Sequence, residues 1–474
     1  MKKWILALWL SSAAWGETLT LDHLLSRVVE HHPKLRGARL LRSIAEAKVT
    51  EKEGAFDPSL LLGTEYLRYQ SPTGPGKAKF ADDHLAAVQV QDIAGWKLIT
   101  GYRRNRGDVK SPDNLTGEGG EFFLEFKLPL LRGLGINEKQ TALAQAEVGR
   151  QIAEALATAT RLEVLMVAAV AYWDWCAACT EFVLLQRNLA LAEERAQQVE
   201  KRVSAGELPR IDAVEARQEV ERRKESLAKS QRNIEKNLYK LAVYLWNSQG
   251  EADQLPTPAE AVLTFPGELA EPILGPAPQP RAASARWDPS QAGKTELDAL
   301  SLRPELSNLR FQRDIIELDR KLAENDRMPA LDLTLGPGLD TGFKNIGLTY
   351  KVGLQLTVPL ATRGPDGRML GARLKNDKLE LEQVLEIQRI LSEVRDAQSM
   401  VRQAEQRQVP ALESLRLALE LEKAERVKFS LGDSTLFLVN QRERNTMSEA
   451  LKVVEIWADG LKGQVMLEAS AGRL

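Results

Sequence analysis

The chain runs through one order of segments twice, and that repetition constrains its fold more than any single motif. His32-Pro33-Lys34-Leu35 opens a helical stretch that closes at Asp57-Pro58-Ser59-Leu60. Arg303-Pro304-Glu305-Leu306 opens another that closes at Met328-Pro329-Ala330-Leu331. The interval from Pro33 to Pro58 equals that from Pro304 to Pro329, 25 residues. Each copy then passes through alternating sequence to a similar exit, Lys127-Leu128-Pro129-Leu130 and Thr357-Val358-Pro359-Leu360. Each continues as a very long helical stretch to a glycine turn, Ser204-Ala205-Gly206-Glu207 and Ser430-Leu431-Gly432-Asp433, followed by a returning helix. A repeat of whole supersecondary units implies a first unit over 17–250, a Pro/Ala/Gly-rich linker over 251–297, and a second unit over 298–474.

Helical periodicity covers 20–53, where Leu21, Leu24, Leu25, Val28 and Val29 form one apolar stripe that His31-His32-Pro33 interrupts. It also covers 137–203, 209–246, 302–326, 371–429 and 434–467, with Pro410 expected to kink or shift its helix. The stretch 137–203 alone spans on the order of 100 Å at 1.5 Å per residue. A returning helix stacked end to end on a pre-strand helix matches that length, which predicts a wall of antiparallel helices continuous with the strands.

Six strand candidates remain: about 60–69, 85–91, 96–103, 121–130, 331–339 and 347–360. In the last, Leu348, Tyr350, Val352, Leu354, Leu356 and Val358 alternate with Thr349, Lys351, Gly353, Gln355 and Thr357. An apolar face opposite a polar one over about ten residues suits a transmembrane barrel strand with lipid outside and water inside. In 121–130, Phe123 breaks the pattern by falling on the polar side. The connections 70–84 and 107–120 are long and 92–95 is short, as expected for external loops and a periplasmic turn.

The opening residues read as an export signal over 1–16. Lys2-Lys3 precede a short apolar run, and small residues at Ala14 and Gly16 place the mature start at Glu17. No later segment carries an uncharged apolar run of membrane-spanning length. The balance of 64 basic and 66 acidic residues argues against a nucleic-acid partner, and 27% charged residues with 6% aromatics suit long solvated helices better than an enzyme. Together these features point to the outer membrane.

Several matching pieces resemble the TolC-like outer-membrane efflux proteins, over essentially the whole mature length. They are Thr20-Leu21-Asp22-His23-Leu24-Leu25 with His32-Pro33-Lys34-Leu35; Leu128-Pro129-Leu130-Leu131-Arg132-Gly133; Ala171-Tyr172-Trp173-Asp174; Lys201-Arg202-Val203-Ser204-Ala205-Gly206 with Ile211-Asp212; and Leu302-Arg303-Pro304-Glu305-Leu306. The resemblance implies a mainly α, mixed fold. Duplicated antiparallel helical hairpins would form a trimeric α-barrel in the periplasm, continuous with a transmembrane β-barrel in the outer-membrane lipid. It also implies a homotrimer serving as the exit duct for a periplasmic adaptor and an inner-membrane transporter of RND, ABC or MFS type, in efflux or type I secretion.

In that family the glycine turns form the adaptor-contacting tip, here Ser204, Ala205, Gly206, Glu207 and Leu208 with Ser430, Leu431, Gly432, Asp433 and Ser434. The family often closes the tip with acidic residues six and nine positions beyond each glycine. Here these positions hold Asp212 and Glu215 in the first copy but Leu438 and Gln441 in the second. Asp212, Glu215 and Gln441 are therefore the pore-gate candidates, with a solvated helix face as the alternative. Typical members contribute four strands per protomer, twelve in all. Six strands would give eighteen, unless the extra hairpin lies outside the barrel.

No catalytic constellation, cofactor site or metal site is expected. Cys176-Ala-Ala-Cys179 falls mid-helix without the histidine or second cysteine pair of a closed metal site, and reads as buried thiols or a strained local disulfide. Of the four histidines, His23, His31, His32 and His84, none stands beside a nucleophile or in chelating geometry. Lys97, Arg103, Arg104 and Arg106 face either a lumen or an external loop. The competing reading of the whole chain is an exported coiled-coil structural or adhesive protein without a pore.

Overall fold

The computed structural model describes residues 18–70, 78–107, 116–117, 119–261, 291–341 and 346–474. The expected export signal, the expected mature start, most of the linker and most of the loops between strands lie outside these residues. The described chain is mainly helical with one antiparallel sheet. Its order is α1 (Leu21–His31), α2 (Pro33–Glu53), β1 (Ser59–Gln70), β2 (Ala78–Gln91), β3 (Lys97–Gly107), β4 (Glu121–Pro129), α3 (Glu138–Ser204) and α4 (Arg210–Ala242). It continues with α5 (Ala292–Leu302), α6 (Pro304–Asp326), β5 (Ala330–Thr341), β6 (Ile346–Thr357), α7 (Arg363–Leu431) and α8 (Leu436–Ser470). The described residues fall into two compact units, one from those within Met1–Arg39, Ala157–Pro304 and Ile387–Leu474, the other from those within Leu40–Leu156 and Glu305–Glu386.

The first unit is built on buried faces of α1, α3 and α4. The Thr20 hydroxyl caps α1 by accepting from the His23 N–H at 3.3 Å. Leu24 and Val28 on the expected stripe are fully buried, against Ala168, Tyr172, Trp175 and Cys176 of α3 and Leu241 of α4. The helix breaks where expected. His32 turns to φ −64°, ψ 126° ahead of Pro33, because the proline ring disfavours helical geometry in the residue before it. Arg303 does the same at φ −67°, ψ 122° ahead of Pro304. His32 stacks on Tyr244 with ring centroids 5.6 Å apart, and burial lowers its pKa. Part of the expected linker packs here too: the Leu19 N–H donates to the Glu260 carbonyl at 3.0 Å, and Ala261 is buried in the same cluster.

Asp174 ends the longest uncharged apolar run of α3, so the expectation of no such run of membrane-spanning length stands. By length and overall composition, charges included, α3 still contains a segment apolar enough to cross a membrane. Its apolar side chains Val164, Leu165, Ala168, Tyr172 and Trp175 instead fill this unit's core, which is why the helix is so apolar.

The second unit carries the sheet, in which all six expected strands pair in sequence order β1-β2-β3-β4-β5-β6, each antiparallel to the next. β2 begins at Ala78, well before the expected 85, so residues 78–84 are strand and not loop. The register Glu65↔Asp83, Tyr66↔Asp82 and Gln70↔Ala78 shows the cause: pairing with β1 supplies the hydrogen bonds that Asp82-Asp83 would not favour alone. β3 likewise runs past the expected 103 to Gly107, paired with Ala81. α7 begins at Arg363, eight residues before the expected start, with Pro365 in its first turn where a missing N–H costs nothing. Its helical assignment continues through Pro410.

Candidate functional site

The two glycine turns are built alike. In the first, the Glu207 N–H donates to the Arg202 carbonyl at 2.9 Å and the Gly206 N–H to the Val203 carbonyl at 3.0 Å. In the second, the Asp433 N–H donates to the Lys428 carbonyl at 2.9 Å and the Gly432 N–H to the Phe429 carbonyl at 3.2 Å. These paired 6→1 and 5→2 bonds are Schellman motifs that satisfy the last free carbonyls of α3 and α7. They place Gly206 at φ +81° and Gly432 at φ +86°, where a Cβ is disfavoured by backbone geometry alone, since nothing lies within 4 Å of either position. Pro209 and Thr435 then start α4 and α8, the Thr435 hydroxyl accepting from the Leu438 N–H at 3.4 Å.

The structure brings the two turns together. Leu208 and Phe429 pack on one small cluster whose buried members are Val199, Ala216 and Leu436. The Arg202 guanidinium lies over the Phe429 ring at 5.9 Å and its Nε donates to Glu207 at 3.1 Å. Ser204, Ala205, Gly206, Glu207, Leu431, Gly432 and Asp433 are all exposed, so both turns present backbone and side chains to solvent, the apolar Leu431 among them. Ser434 turns inward and donates to Glu425 at 2.5 Å.

The gate candidates differ from one another. Glu215 accepts from the Asn440 side-chain amide at 3.3 Å, Gln441 is exposed and accepts from Arg444 at 2.8 Å, and Asp212 is half-buried in the first turn of α4.

Behind the turns lies a buried ionic knot that sequence reasoning missed. Glu443 of α8 has a side chain only 2% exposed. It receives Arg195 of α3 at 2.7 Å, Arg223 of α4 at 2.8 Å and Arg426 of α7 at 2.7 Å. Arg223 is itself buried and donates to Glu219 at 3.0 Å and to the Asn188 carbonyl at 2.7 Å; Arg444 reaches Glu219 at 3.1 Å. Burial pushes the Glu443 carboxyl up, but hydrogen bonds and charge from Arg195, then from Arg223 and Arg426, outweigh it and hold the group at about 2. All four helices thus converge on one carboxylate. A signal was present in the sequence: Leu436, Val439, Asn440, Glu443, Thr446 and Ala450 follow the helical spacing of a core stripe, so Asn440 and Glu443 fall on its buried side.

In the sheet, the register resolves which residues share a face. Leu348, Tyr350, Val352, Leu354 and Leu356 of β6 are 61–82% exposed and align with Leu331, Leu333, Leu335 and Leu339 of β5 and with Phe122, Leu124, Phe126 and Leu128 of β4. The opposite face carries Lys97, Arg103, Glu121, Lys127, Asp332, Lys351 and Gln355, with Arg103 paired to Glu121 at 2.7 Å and Lys127 to Asp332 at 3.1 Å. Phe123, the exception to the alternation, lies beneath the Arg103 guanidinium at 5.1 Å. The four cations read together from sequence separate: Lys97 and Arg103 lie on the polar face, Arg104 and Arg106 on the apolar one.

Cys176 and Cys179 are buried thiols not joined in a disulfide, and burial pushes the Cys179 thiol up, away from the reactive thiolate form. Among the described residues no group of three or more His, Cys, Asp or Glu is placed to hold a metal.

Similar folds occur among solved structures. The outer-membrane protein VceC from Vibrio cholerae matches at TM-score 0.65 and 16% identity, over 95% of this chain and 96% of its own. The Campylobacter jejuni outer-membrane channel CmeC matches at TM-score 0.64 and 13% identity, over 98% and 90%. The Neisseria gonorrhoeae outer-membrane channel MtrE, solved in its open state, matches at TM-score 0.64 and 16% identity, over 95% and 88%. No protein-family model and no curated protein sequence matches the chain. The chain therefore has the fold of the outer-membrane channels, in agreement with its resemblance to the TolC-like proteins.

Proposed function

We propose that the chain is an outer-membrane exit duct, passively conducting substrates that a periplasmic adaptor and an inner-membrane transporter deliver to it. The observation that carries this reading is the six-stranded sheet, apolar and exposed on one face, charged on the other, and unpaired at both edges among the described residues. Water does not favour an exposed face of this extent, and open edges of this length invite further pairing. Closure with further copies answers both: lipid covers the apolar face, the polar face lines water, and β6 of one copy meets β1 of the next. Three copies would give eighteen strands.

The helices support the same assembly. Leu370, Leu374, Leu381, Val384 and Leu385 leave an exposed apolar stripe on α7, as do Leu40, Leu41 and Ile44 on α2. Neighbouring copies would cover them in an internally duplicated, closed helical barrel. The residues Ser204–Leu208 and Ser430–Ser434 then serve as the adaptor-contacting tip, and Asp212 and Glu215 as a single acidic ring near it, with Gln441 alongside. Opening is a change in helix packing there, driven by a partner that binds the open state more tightly.

The test is single-channel conductance of the detergent-extracted protein in a planar bilayer, with its mass measured in parallel. Discrete conductance from a trimer is the expected result. A detergent-free, monomeric, non-conducting protein would overturn the duct and favour a structural rod.

A further inference from the structure

We propose that the rim of the apolar sheet face binds the phosphate groups of the glycolipid that fills the outer leaflet of a Gram-negative outer membrane. This inference rests on the duct reading, which fixes which end of the sheet faces outward.

The strand ends that join helices are Ser59 of β1, Pro129 of β4, Ala330 of β5 and Thr357 of β6, so Gln70, Gly107, Glu121 and Thr341 mark the far end. Along the apolar face towards that end, chemistry changes in order. Leu62, Ala86, Tyr102, Phe122 and Leu339 form one rung across β1 to β5. Tyr102 and Phe122 pack with centroids 5.2 Å apart, an aromatic edge of the kind that sits at a membrane–water interface. One rung further on the same face stand His84 and Arg104, then Asp82 and Arg106, then Arg68 and Phe80.

Successive rungs are two residues, about 6.6 Å, apart along a strand. At a barrel tilt near 40°, Arg104 and Arg106 stand about 5 and 10 Å beyond the aromatic edge. The polar headgroup region extends roughly 5–8 Å outside the hydrocarbon on each side, so Arg104 lies within it and Arg106 at its outer edge, with Arg68 one rung further out at about 15 Å. Arg68 and Arg106 are exposed, and the Arg68 guanidinium lies over the Phe80 ring at 5.8 Å. The Arg104 Nε is buried and has no hydrogen-bond partner among the described residues.

The contrast with the other face argues for a ligand. There, Arg103 and Lys127 are neutralised by Glu121 and Asp332. Here, no carboxylate among the described residues forms an ion pair with Arg68, Arg104 or Arg106. Asp82, the acidic residue on these rungs, instead meets His84 at 3.2 Å. Guanidiniums with no ion-pair partner among the described residues, beginning just outside an apolar band, match a layer of phosphates that is itself anchored by acyl chains, and guanidinium binds phosphate through paired N–H donors.

The test is native mass spectrometry of the full protein in detergent. It is titrated with lipid A carrying two phosphates, with the same lipid dephosphorylated, and with phosphatidylglycerol. The wild type is expected to prefer bisphosphorylated lipid A at least tenfold over both others. Arg104→Gln/Arg106→Gln should remove that preference, as should Arg68→Gln/Arg106→Gln, which alters only exposed side chains and keeps the test open if the first variant fails to fold. Lys97→Gln/Lys127→Gln on the polar face should retain it. Equal binding of the two lipid A forms, equal binding of phosphatidylglycerol, or a preference that survives both arginine variants overturns the inference. Conductance of the same samples separates the two readings. A conducting protein without the preference refutes this inference alone, whereas a protein that forms no channel refutes the duct.

Discussion

Replacing Glu443 by glutamine tests how the helical hairpins are tied together near the turns. The carboxylate is buried and receives three arginines from three other helices. Moving it from its ordinary 4.5 to about 2 is worth about 3 kcal/mol at neutral pH, at 1.36 kcal/mol for each tenfold change in proton affinity. That agrees with the roughly 3–5 kcal/mol lost when one partner of a buried ion pair is removed. Because the folded pKa lies below the unfolded one, this stabilisation is fully present above about pH 4.5 and is lost as pH falls towards 2. The same linkage leaves about 1.4 kcal/mol at pH 3. Glutamine carries no such proton dependence, so the stability difference between wild type and Glu443→Gln should more than halve between pH 7 and pH 3. Thermal unfolding of the detergent-solubilised protein at both pH values reads it, as a shift of a few degrees at pH 7. A difference below about 1 kcal/mol at pH 7, or one unchanged at pH 3, would refute the argument that the arginines bind the ionised form specifically.

Three further outcomes follow from the same geometry. Gly206→Ala or Gly432→Ala should cost about 1–2 kcal/mol through the positive φ alone, measured by thermal unfolding, while Gly206→Arg or Gly432→Arg should abolish export and leave the assembly intact by native mass. Val352→Arg on the apolar face should hinder outer-membrane insertion by about 2–4 kcal/mol, whereas Gln355→Arg on the polar face should insert normally, as read by membrane fractionation. Cys176 and Cys179 should resist a thiol-specific reagent at pH 8 in the folded protein and react once it is denatured, because burial keeps Cys179 protonated.

How much was legible in advance varied with the range of the interaction involved. The breaks at His32 and Arg303 were readable because proline acts on its immediate neighbour. The turns at Gly206 and Gly432 were readable because a left-handed residue after a long helix selects glycine. The alternation in β6 was readable because successive side chains of a strand point to opposite faces, so a period of two is visible in the sequence itself. The length of β2 was not: Asp82 and Asp83 are poor strand formers, and only pairing with Tyr66 and Glu65 commits them to the ladder. The early start of α7 was hidden by Gly364 and Pro365, which read as breakers until the first-turn position of the proline is known.

The sequence by itself determined the element order, the helix reversals and the two chemistries of the sheet, because each follows from local backbone geometry or from the two-residue alternation of a strand. Only the tertiary structure decided which charges meet. Arg195, Arg223, Arg426 and Glu443 lie on four helices up to 248 residues apart. Arg103 and Arg104 are neighbours in sequence yet lie on opposite faces of the sheet. A charge's partner depends on which helices pack and which register the strands adopt, and those are settled by burial across the whole chain.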